Sequence, residues 1–210
     1  MEKWLKETEE SLEEAIEAAR VGEVSLKNLY MLAPLIYSRR NNMNNPSVIQ
    51  GLTTALELSR QGVSVVLLER EEIGFGGSGR NAGHCTPTFT HYTLPELQQV
   101  LGAPWADRLI ARQTRANDRV GQMIADYQID CEWEQNGYVQ GALIPSHMQT
   151  IKQLAADYNS VGARTRLLDR DEVQAITGSP RFYGGWFHEE AGGLNPLAYA
   201  RGLGRAVLHE

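Results

Sequence analysis

The residues best suited to chemistry lie in one glycine-rich stretch, IGFGGSGRNAG, which spans positions 73–83. Five of its eleven positions are glycine, and Ser78, Arg80 and Asn81 stand among them. Glycines let backbone N–H groups come close to a bulky anionic ligand, and they permit tight loops. The composition therefore favours a loop that binds a phosphorylated cofactor. A surface loop whose glycines serve only its turns is the alternative, but it leaves the enclosed arginine and asparagine without a role.

A second candidate, Glu69, ends the apolar run VSVVLLE at positions 63–69. An uninterrupted run of β-branched residues and leucine is typical of a strand buried on both faces of a parallel sheet. In a dinucleotide-binding βαβ unit, an acidic residue at the end of the second strand binds the ribose hydroxyls of adenosine. Glu69 fits that role, or it marks only the point where the sheet meets water.

A helix and a strand must position these residues. Residues 51–61 place Leu52, Ala55 and Leu56 on one helical face, and Gly62 follows as the stop. We therefore predict a helix over 51–61 and a strand over 63–69 that lies parallel to a neighbour. We also predict that residues 78–83 lie near Glu69 at the carboxyl edge of the sheet, where open α/β sheets bind ligands.

Three segments in this order carry a resemblance: GLTTALELSRQGVSVVLLERE, IGFGGSGRNAG and YQIDCEWEQNGYV. Residues 51–210 resemble FAD-dependent amine and amino-acid oxidases of the D-amino-acid oxidase superfamily, in particular gamma-glutamylputrescine oxidases. The resemblance implies FAD as the cofactor, with Glu69 and Arg70 at its adenosine end. The residues that it places at the pyrophosphate and the flavin are Ser78, Arg80, Asn81 and Gly83. Gly51 stands where the dinucleotide fingerprint ends.

The resemblance also implies a reaction, in which a hydride passes from an amine-bearing carbon of an amine or amino-acid substrate to the flavin. No catalytic residue can be named from the spacing. Two other functions stay open. A non-catalytic remnant or protein-interaction module would bind no cofactor, and its helical N terminus would contact a protein partner. A nicotinamide dehydrogenase would share Glu69 but has no use for the Ser-Gly-Arg-Asn-Ala-Gly run.

The dinucleotide fingerprint GxGxxG is incomplete in this chain. If Gly51 is its last glycine, the first two positions are Pro46 and Val48. Upstream, IYSRRNNMNNP cannot form the buried first strand of the fold. We therefore expect an internal part of an oxidase behind an unrelated helical segment. By itself this chain should bind FAD weakly and show no oxidase turnover.

Composition and pattern predict an α/β fold in three parts. Residues 1–45 form a helical N-terminal segment with seven Glu between positions 2 and 20, followed by an Asn-rich linker. Residues 46–125 form a partial, Rossmann-like FAD-binding domain, and residues 126–210 form a partial, mixed α+β substrate-binding domain. In the last part we predict a hairpin at Asn136-Gly137, capping boxes at Ser146/Gln149 and Asp169/Glu172, and a helix that starts after Asn195.

Charge and hydropathy argue against several classes of protein. The net charge is −6 and the Lys and Arg residues are scattered, which argues against a nucleic-acid partner. No apolar run approaches the roughly 20 residues of a membrane span, and the acidic N terminus is unlike a signal peptide, so we expect a cytoplasmic protein.

Cysteine and histidine usage predicts no metal site. The chain has two cysteines, Cys85 and Cys131, and its five histidines are dispersed without metal-ligand spacing. We expect both cysteines to be buried free thiols. His84 follows the glycine-rich stretch directly and could reach the flavin or substrate, or could serve packing only. Tyr138 and Trp186 are expected to be core or sheet-face residues.

Overall fold

The computed structural model describes residues 47–67, 69, 71–89 and 92–210. The N-terminal helices and Asn-rich linker predicted for residues 1–45 lie outside the described residues, as does Arg70. Packing divides the chain into two compact units, the first made of residues 1–82 and 196–210 and the second of residues 83–195.

Seven helices and five strands are found in the described part of the chain. The helices are α1 (Ser47–Ser59), α2 (Leu94–Leu101), α3 (Ala103–Thr114), α4 (Ala116–Asp126), α5 (His147–Ser160), α6 (Arg170–Thr177) and α7 (Pro196–His209). The strands are β1 (His84–Cys85), β2 (Tyr138–Gly141), β3 (Thr165–Leu168), β4 (Gly185–His188) and β5 (Gly192–Gly193).

The first unit is built on α1 and α7, which pack against each other. The helix predicted over 51–61 is confirmed, although it begins earlier, at Ser47. Leu52, Ala55 and Leu56 are buried, as their common face predicts. Gly62 stops the helix with a φ of +74°, and its N–H donates to the carbonyl of Ser59 at 2.8 Å.

The strand predicted over 63–69 is wrong. Residues 63–67 and 69 form no strand, and no residue described in the first unit does. A strand requires the backbone hydrogen bonds of a neighbour, and an apolar sequence cannot supply them alone. The sheet edge that was to bring Glu69 and residues 78–83 together is therefore not found among the described residues of this unit.

The second unit contains an antiparallel sheet in the order β2-β4-β3. His188 of the central strand β4 lies opposite Tyr138 of β2 and Thr165 of β3. Helix α5 covers the sheet, and its Ile151, Ala155 and Tyr158 share a buried core with Trp186. A separate ladder joins β1 to β5, also antiparallel.

The hairpin predicted at Asn136-Gly137 is wrong. Strand β2 pairs with β4, whereas Glu134 forms a bridge with Gly193, so the two arms have different partners. The local turn chemistry is present, since Gly137 has a φ of +92°, but its N–H donates to the carbonyl of Ala191. Tertiary packing, not the turn, selects the strand partners.

The predicted helix starts are confirmed, but only one of two capping boxes forms. In α6, Asp169 accepts from the Glu172 N–H, and the Glu172 carboxylate accepts from the Asp169 N–H, both at 2.9 Å. Helix α5 begins at His147, yet the Ser146 side chain caps no N–H because Ser146 itself has helical dihedral angles. Helix α7 begins at Pro196.

The two packing units do not coincide with the predicted domains 46–125 and 126–210. The β1–β5 ladder places residues 84–85 beside 192–193 within the second unit, and α7 belongs to the first unit with α1. Which residues make up the FAD-binding and the substrate-binding domain stays a prediction. Among the described residues, no helix has the length and apolar character needed to cross a bilayer.

Candidate functional site

The glycine-rich stretch folds as a chain of tight turns between Glu71 and Arg80. The N–H of Phe75 donates to Glu72, that of Gly79 to Gly76, and that of Arg80 to Gly77, in each case to the carbonyl three residues back. Gly74 has a φ of +84°, a conformation that favours glycine. Residues 72–81, called the glycine loop below, thus have a defined shape that this composition permits.

Helix α7 supports the glycine loop through small residues. A Cβ on Gly74 would lie 2.7 Å from Cδ1 of Leu197, and a Cβ on Gly204 would lie 2.5 Å from Cδ1 of Ile73. An exposed ion pair between Arg201 and Glu72, at 3.3 Å, lies at the same contact. Sequence reasoning did not identify this support. The signal was the pair of glycines in ARGLGRA, which let another segment approach the helix closely.

Within the loop, Gly79 lies directly against Gly74. A Cβ on Gly79 would overlap the carbonyl oxygen of Gly74 and lie 2.9 Å from its carbonyl carbon. Backbone atoms cannot move aside as a flexible side chain can. Glycine at position 79 is therefore a packing requirement, whereas Gly76 has open space around it.

The structure brings three predicted site residues together in this loop. Ser78 is buried, with 3% of its surface exposed. Asn81 is exposed, and its Nδ2 donates to the carbonyls of Gly77 and Ser78, both at 3.0 Å. Arg80 is exposed and places its guanidinium 4.9 Å from the ring centre of Phe75. Asn81 therefore fixes the loop, and Arg80 supplies a positive charge at its surface.

Three successive N–H groups of the loop have no described acceptor, although Ser78 as a whole is buried. Among the described residues, no acceptor pairs with the N–H of Gly76, Gly77 or Ser78. Consecutive unpaired N–H groups in a turn form a concave donor surface that suits an anion. The glycine loop thus fits one part of a dinucleotide, its phosphate.

Glu69 and Gly83, two other predicted site residues, each have a hydrogen-bond partner outside the loop. Glu69 is exposed, and its carboxylate accepts from the Glu71 N–H at 3.3 Å. Gly83 begins the second unit with a φ of +69°, and its carbonyl accepts from the Leu194 N–H at 3.0 Å. The proximity predicted for Glu69 and residues 78–83 stays a prediction.

Helix α1 has only one of the two features of a dinucleotide fingerprint: it has the glycine for close packing but lacks the glycine turn. A Cβ on Gly51 would lie 3.1 Å from Cδ1 of Leu67, so Gly51 allows the close packing that the third glycine provides. The residues before it, from Ser47 to Gln50, are already helical, and Val48 carries a half-buried side chain at the second glycine position. Helix α1 therefore lacks the glycine turn that lets backbone N–H groups approach a pyrophosphate.

The second unit buries one histidine completely. His188 is 0% exposed and packs edge-on against Trp186, with 5.4 Å between the ring centres, and Tyr158, at 6.0 Å. Neither of its ring nitrogens has a hydrogen-bond partner among the described residues; the nearest carboxylate, that of Glu190, lies 3.8 Å away. Burial lowers the pKa of His188, against the opposing effects of Glu190 and Glu189. His188 is therefore held neutral.

The remaining candidates of the sequence analysis also lie in the second unit. Cys131 is buried and Cys85 half-buried, and both are free thiols. Burial raises the pKa of each; charge repulsion by Cys131 raises that of Cys85 further, and the carboxylates of Asp130 and Glu132 raise that of Cys131. His84 is exposed and lies edge-on to the Tyr138 ring, with 6.1 Å between the ring centres. Trp186 is a core residue, as expected.

Comparison with known proteins identifies relatives along the same part of the chain. A probable oxidoreductase, OrdL, of Haemophilus influenzae is 32% identical over 160 residues, which are 75% of this chain and 37% of that protein. A gamma-glutamylputrescine oxidoreductase of Escherichia coli K12 is 28% identical over 158 residues, which are 75% of this chain and 37% of that protein. The chain thus spans little more than a third of the length of these relatives.

Solved structures share the fold at low identity. An L-amino acid deaminase from Proteus myxofaciens matches with a TM-score of 0.62 and 18% identity, over 77% of this chain and 34% of that one. The L-proline dehydrogenase from P. horikoshii matches with a TM-score of 0.61 and 17% identity, over 76% and 39%. These matches confirm the α/β fold class. The family described as FAD dependent oxidoreductase matches residues 49–209, and this chain belongs to that family.

Proposed function

We propose that this chain is part of an FAD-dependent oxidoreductase that acts on an amine or amino acid, and that the glycine loop is its contribution to the cofactor site. The names of the relatives and the family membership support the reaction class. The observation that carries the proposal for this chain is the row of N–H groups at Gly76, Gly77 and Ser78, which have no acceptor among the described residues and lie in a loop that packs against α7.

Five of the predicted site residues have a proposed role toward FAD. The three loop N–H groups donate to the pyrophosphate, and Arg80 adds positive charge beside them. Glu69 accepts from the ribose hydroxyls, with Arg70 at the same adenosine end, and Gly83 faces the flavin side. Bound FAD would supply the acceptor for a hydride from the amine-bearing carbon.

We further propose that this chain by itself binds FAD weakly and is inactive as an oxidase. A complete phosphate turn offers several N–H donors, each worth roughly 1.5–3 kcal/mol toward a charged group. Pro46 has no N–H, and Val48 prevents the close approach that glycine allows. Loss of about three such bonds costs on the order of 5–9 kcal/mol, which is at least about a thousandfold in affinity.

The location and partners follow from composition. We propose a cytoplasmic location, supported by the acidic net charge and by the lack of any apolar run of about 20 residues in the sequence. A small amine or amino acid is the proposed substrate. The protein partner proposed for residues 1–45 rests on their amphipathic sequence alone.

Deuterium exchange tests the proposed role of the loop. The N–H groups of Gly76–Ser78 have no acceptor among the described residues, so they should exchange rapidly in the free chain and slowly in millimolar FAD. Adenosine at the same concentration should protect them less, because it has no pyrophosphate to accept from the loop. The proposal is wrong if FAD leaves exchange in residues 74–82 unchanged, or if adenosine protects them equally.

A further inference from the structure

We propose that helix α7 positions the glycine loop for FAD, and that Leu197 and Gly204 are the positioning residues. This inference rests on the function proposed for the loop. It adds that two residues of α7, which act through the loop, determine how well the N–H groups of the loop meet the cofactor.

One face of α7 lies against the loop. Residues at i, i+3, i+4 and i+7 of a helix share a face. Four residues of α7 with this spacing contact three consecutive residues of the loop: Leu197 and Ala200 lie beside Gly74, Arg201 pairs with Glu72, and Gly204 faces Ile73. The loop is therefore seated along a stripe of the helix at several points.

The opposite face of α7 is buried. Tyr199, Leu203 and Ala206 form a second stripe, about half a turn around the helix from the first, and all three are buried. The helix also packs against α1. Because this packing fixes α7, the helix is the rigid partner in its contact with the glycine loop.

Gly74 transmits the position of α7 to the donor groups. A Cβ at position 74 would lie 2.7 Å from Cδ1 of Leu197. In addition, a Cβ on Gly79 would lie 3.0 Å from the Cα of Gly74. Gly74 and Gly79 thus close the turn that carries the N–H groups of residues 76–78. A change in the packing between α7 and Gly74 therefore shifts the base of this turn.

Position 204 separates loop positioning from helix stability. A Cβ there would lie 2.5 Å from Cδ1 of Ile73 and 3.6 Å from its Cγ2. Valine is a better helix former than glycine, so Gly204→Val should preserve α7 while its two methyl groups displace Ile73 and the loop. Ile73→Ala removes as many carbon atoms as Gly204→Val adds, so the double variant restores the volume at this contact.

Hydrogen exchange in the FAD-free chain is the first test. The N–H groups of Phe75, Gly79 and Arg80 have acceptors inside the loop, so their exchange reports its conformation. Gly204→Val should speed their exchange at least about fivefold while the helical circular dichroism is unchanged. Arg205→Val, at an exposed position of α7 outside the stripe, is the matched control and should leave this exchange unaltered. Equal exchange in the two variants would overturn the inference.

Titration with FAD is the second test. Gly204→Val should weaken FAD binding at least about fivefold, and the double variant with Ile73→Ala should recover most of this loss. Leu197→Ala, which leaves space beside Gly74, should also weaken binding, and it tests the inference if Gly204→Val does not fold. A double variant that recovers no affinity would contradict the role of the contact between α7 and the loop.

The titration also separates this inference from the proposed function. If the unchanged chain binds no FAD, the proposed function is wrong and this inference with it. If the unchanged chain binds FAD and neither Gly204→Val nor Leu197→Ala alters the dissociation constant, this inference alone is overturned.

Discussion

Gly79 and Gly76 belong to the same loop but differ in the space around them. A methyl group on Gly79 meets the backbone of Gly74, whereas one on Gly76 meets nothing within 4 Å. We predict that Gly79→Ala destabilises the protein by about 1–3 kcal/mol, as overpacking does, and that Gly76→Ala changes stability by less than about 0.5 kcal/mol. Urea denaturation of both variants measures this difference. Equal stabilities would show that the loop is not packed as described.

His188 makes stability depend on pH. Its pKa is lowered from the ordinary value of 6.5 by burial, so the unfolded chain binds a proton more readily than the folded one. The contribution of His188 to the free energy of unfolding is therefore fully present above about pH 6.5. It falls as the pH drops below that value, by up to about 1.4 kcal/mol per pH unit. Denaturation at pH 7.5 and 5.5 should show a smaller difference for His188→Phe than for the unchanged protein.

The exposed His147 of α5 provides the control for His188. His147→Gln removes an imidazole with no buried surroundings, so it should keep the pH dependence of the unchanged protein. If His188→Phe also keeps that dependence, the acid sensitivity arises from other groups.

At the scale of single residues, the sequence predicts which residues lie in the candidate site. It does not predict which atoms they contact. Ser78, Arg80 and Asn81 were selected by type within a glycine run, and all three do lie in one turn-rich loop. The sequence does not show that the Asn81 amide donates to carbonyls of the loop itself, because these hydrogen bonds depend on the path of the loop backbone. Gly204 was missed, since its role depends on Ile73, far away along the chain.

At the scale of elements, the two capping boxes offer a matched comparison. Both were predicted from the same spacing, but only Asp169 accepts from the first turn of its helix. Asp169→Ala should therefore cost about 1 kcal/mol of stability, and Ser146→Ala less than about 0.5 kcal/mol. Thermal denaturation of the two variants compares them. A larger loss for Ser146→Ala would contradict the assignment of the caps.

Helices could be predicted from this sequence and strands could not, for a physical reason. Helices α1, α5, α6 and α7 carry their hydrogen bonds within a local segment, so periodicity and end signals suffice to find them. Strand pairing is non-local. VSVVLLE has the composition of a strand but no described partner, and YVQG pairs with residues 185–188 instead of with its sequence neighbour.

At the scale of the whole molecule, family membership could be inferred where the packing could not. The order of three short segments was enough to indicate an FAD-dependent oxidoreductase, and the match over residues 49–209 confirms it. The division into units depends on the return of α7 to α1 and on the ladder between residues 84–85 and 192–193. Such contacts join positions more than 100 residues apart, and no local sequence pattern predicts them.

The measurement that tests the central claim most directly is a titration of the purified chain with FAD, followed by flavin fluorescence, for the unchanged protein, Gly79→Ala and the control Ser146→Ala. If the glycine loop binds the cofactor as proposed and α1 lacks its phosphate turn, the dissociation constant should lie above about 10 μM, rise at least about tenfold in Gly79→Ala and stay unchanged in Ser146→Ala. A sub-micromolar constant, particularly with peroxide formed from gamma-glutamylputrescine, would contradict the account of α1. Identical constants for all three proteins would contradict the account of the loop.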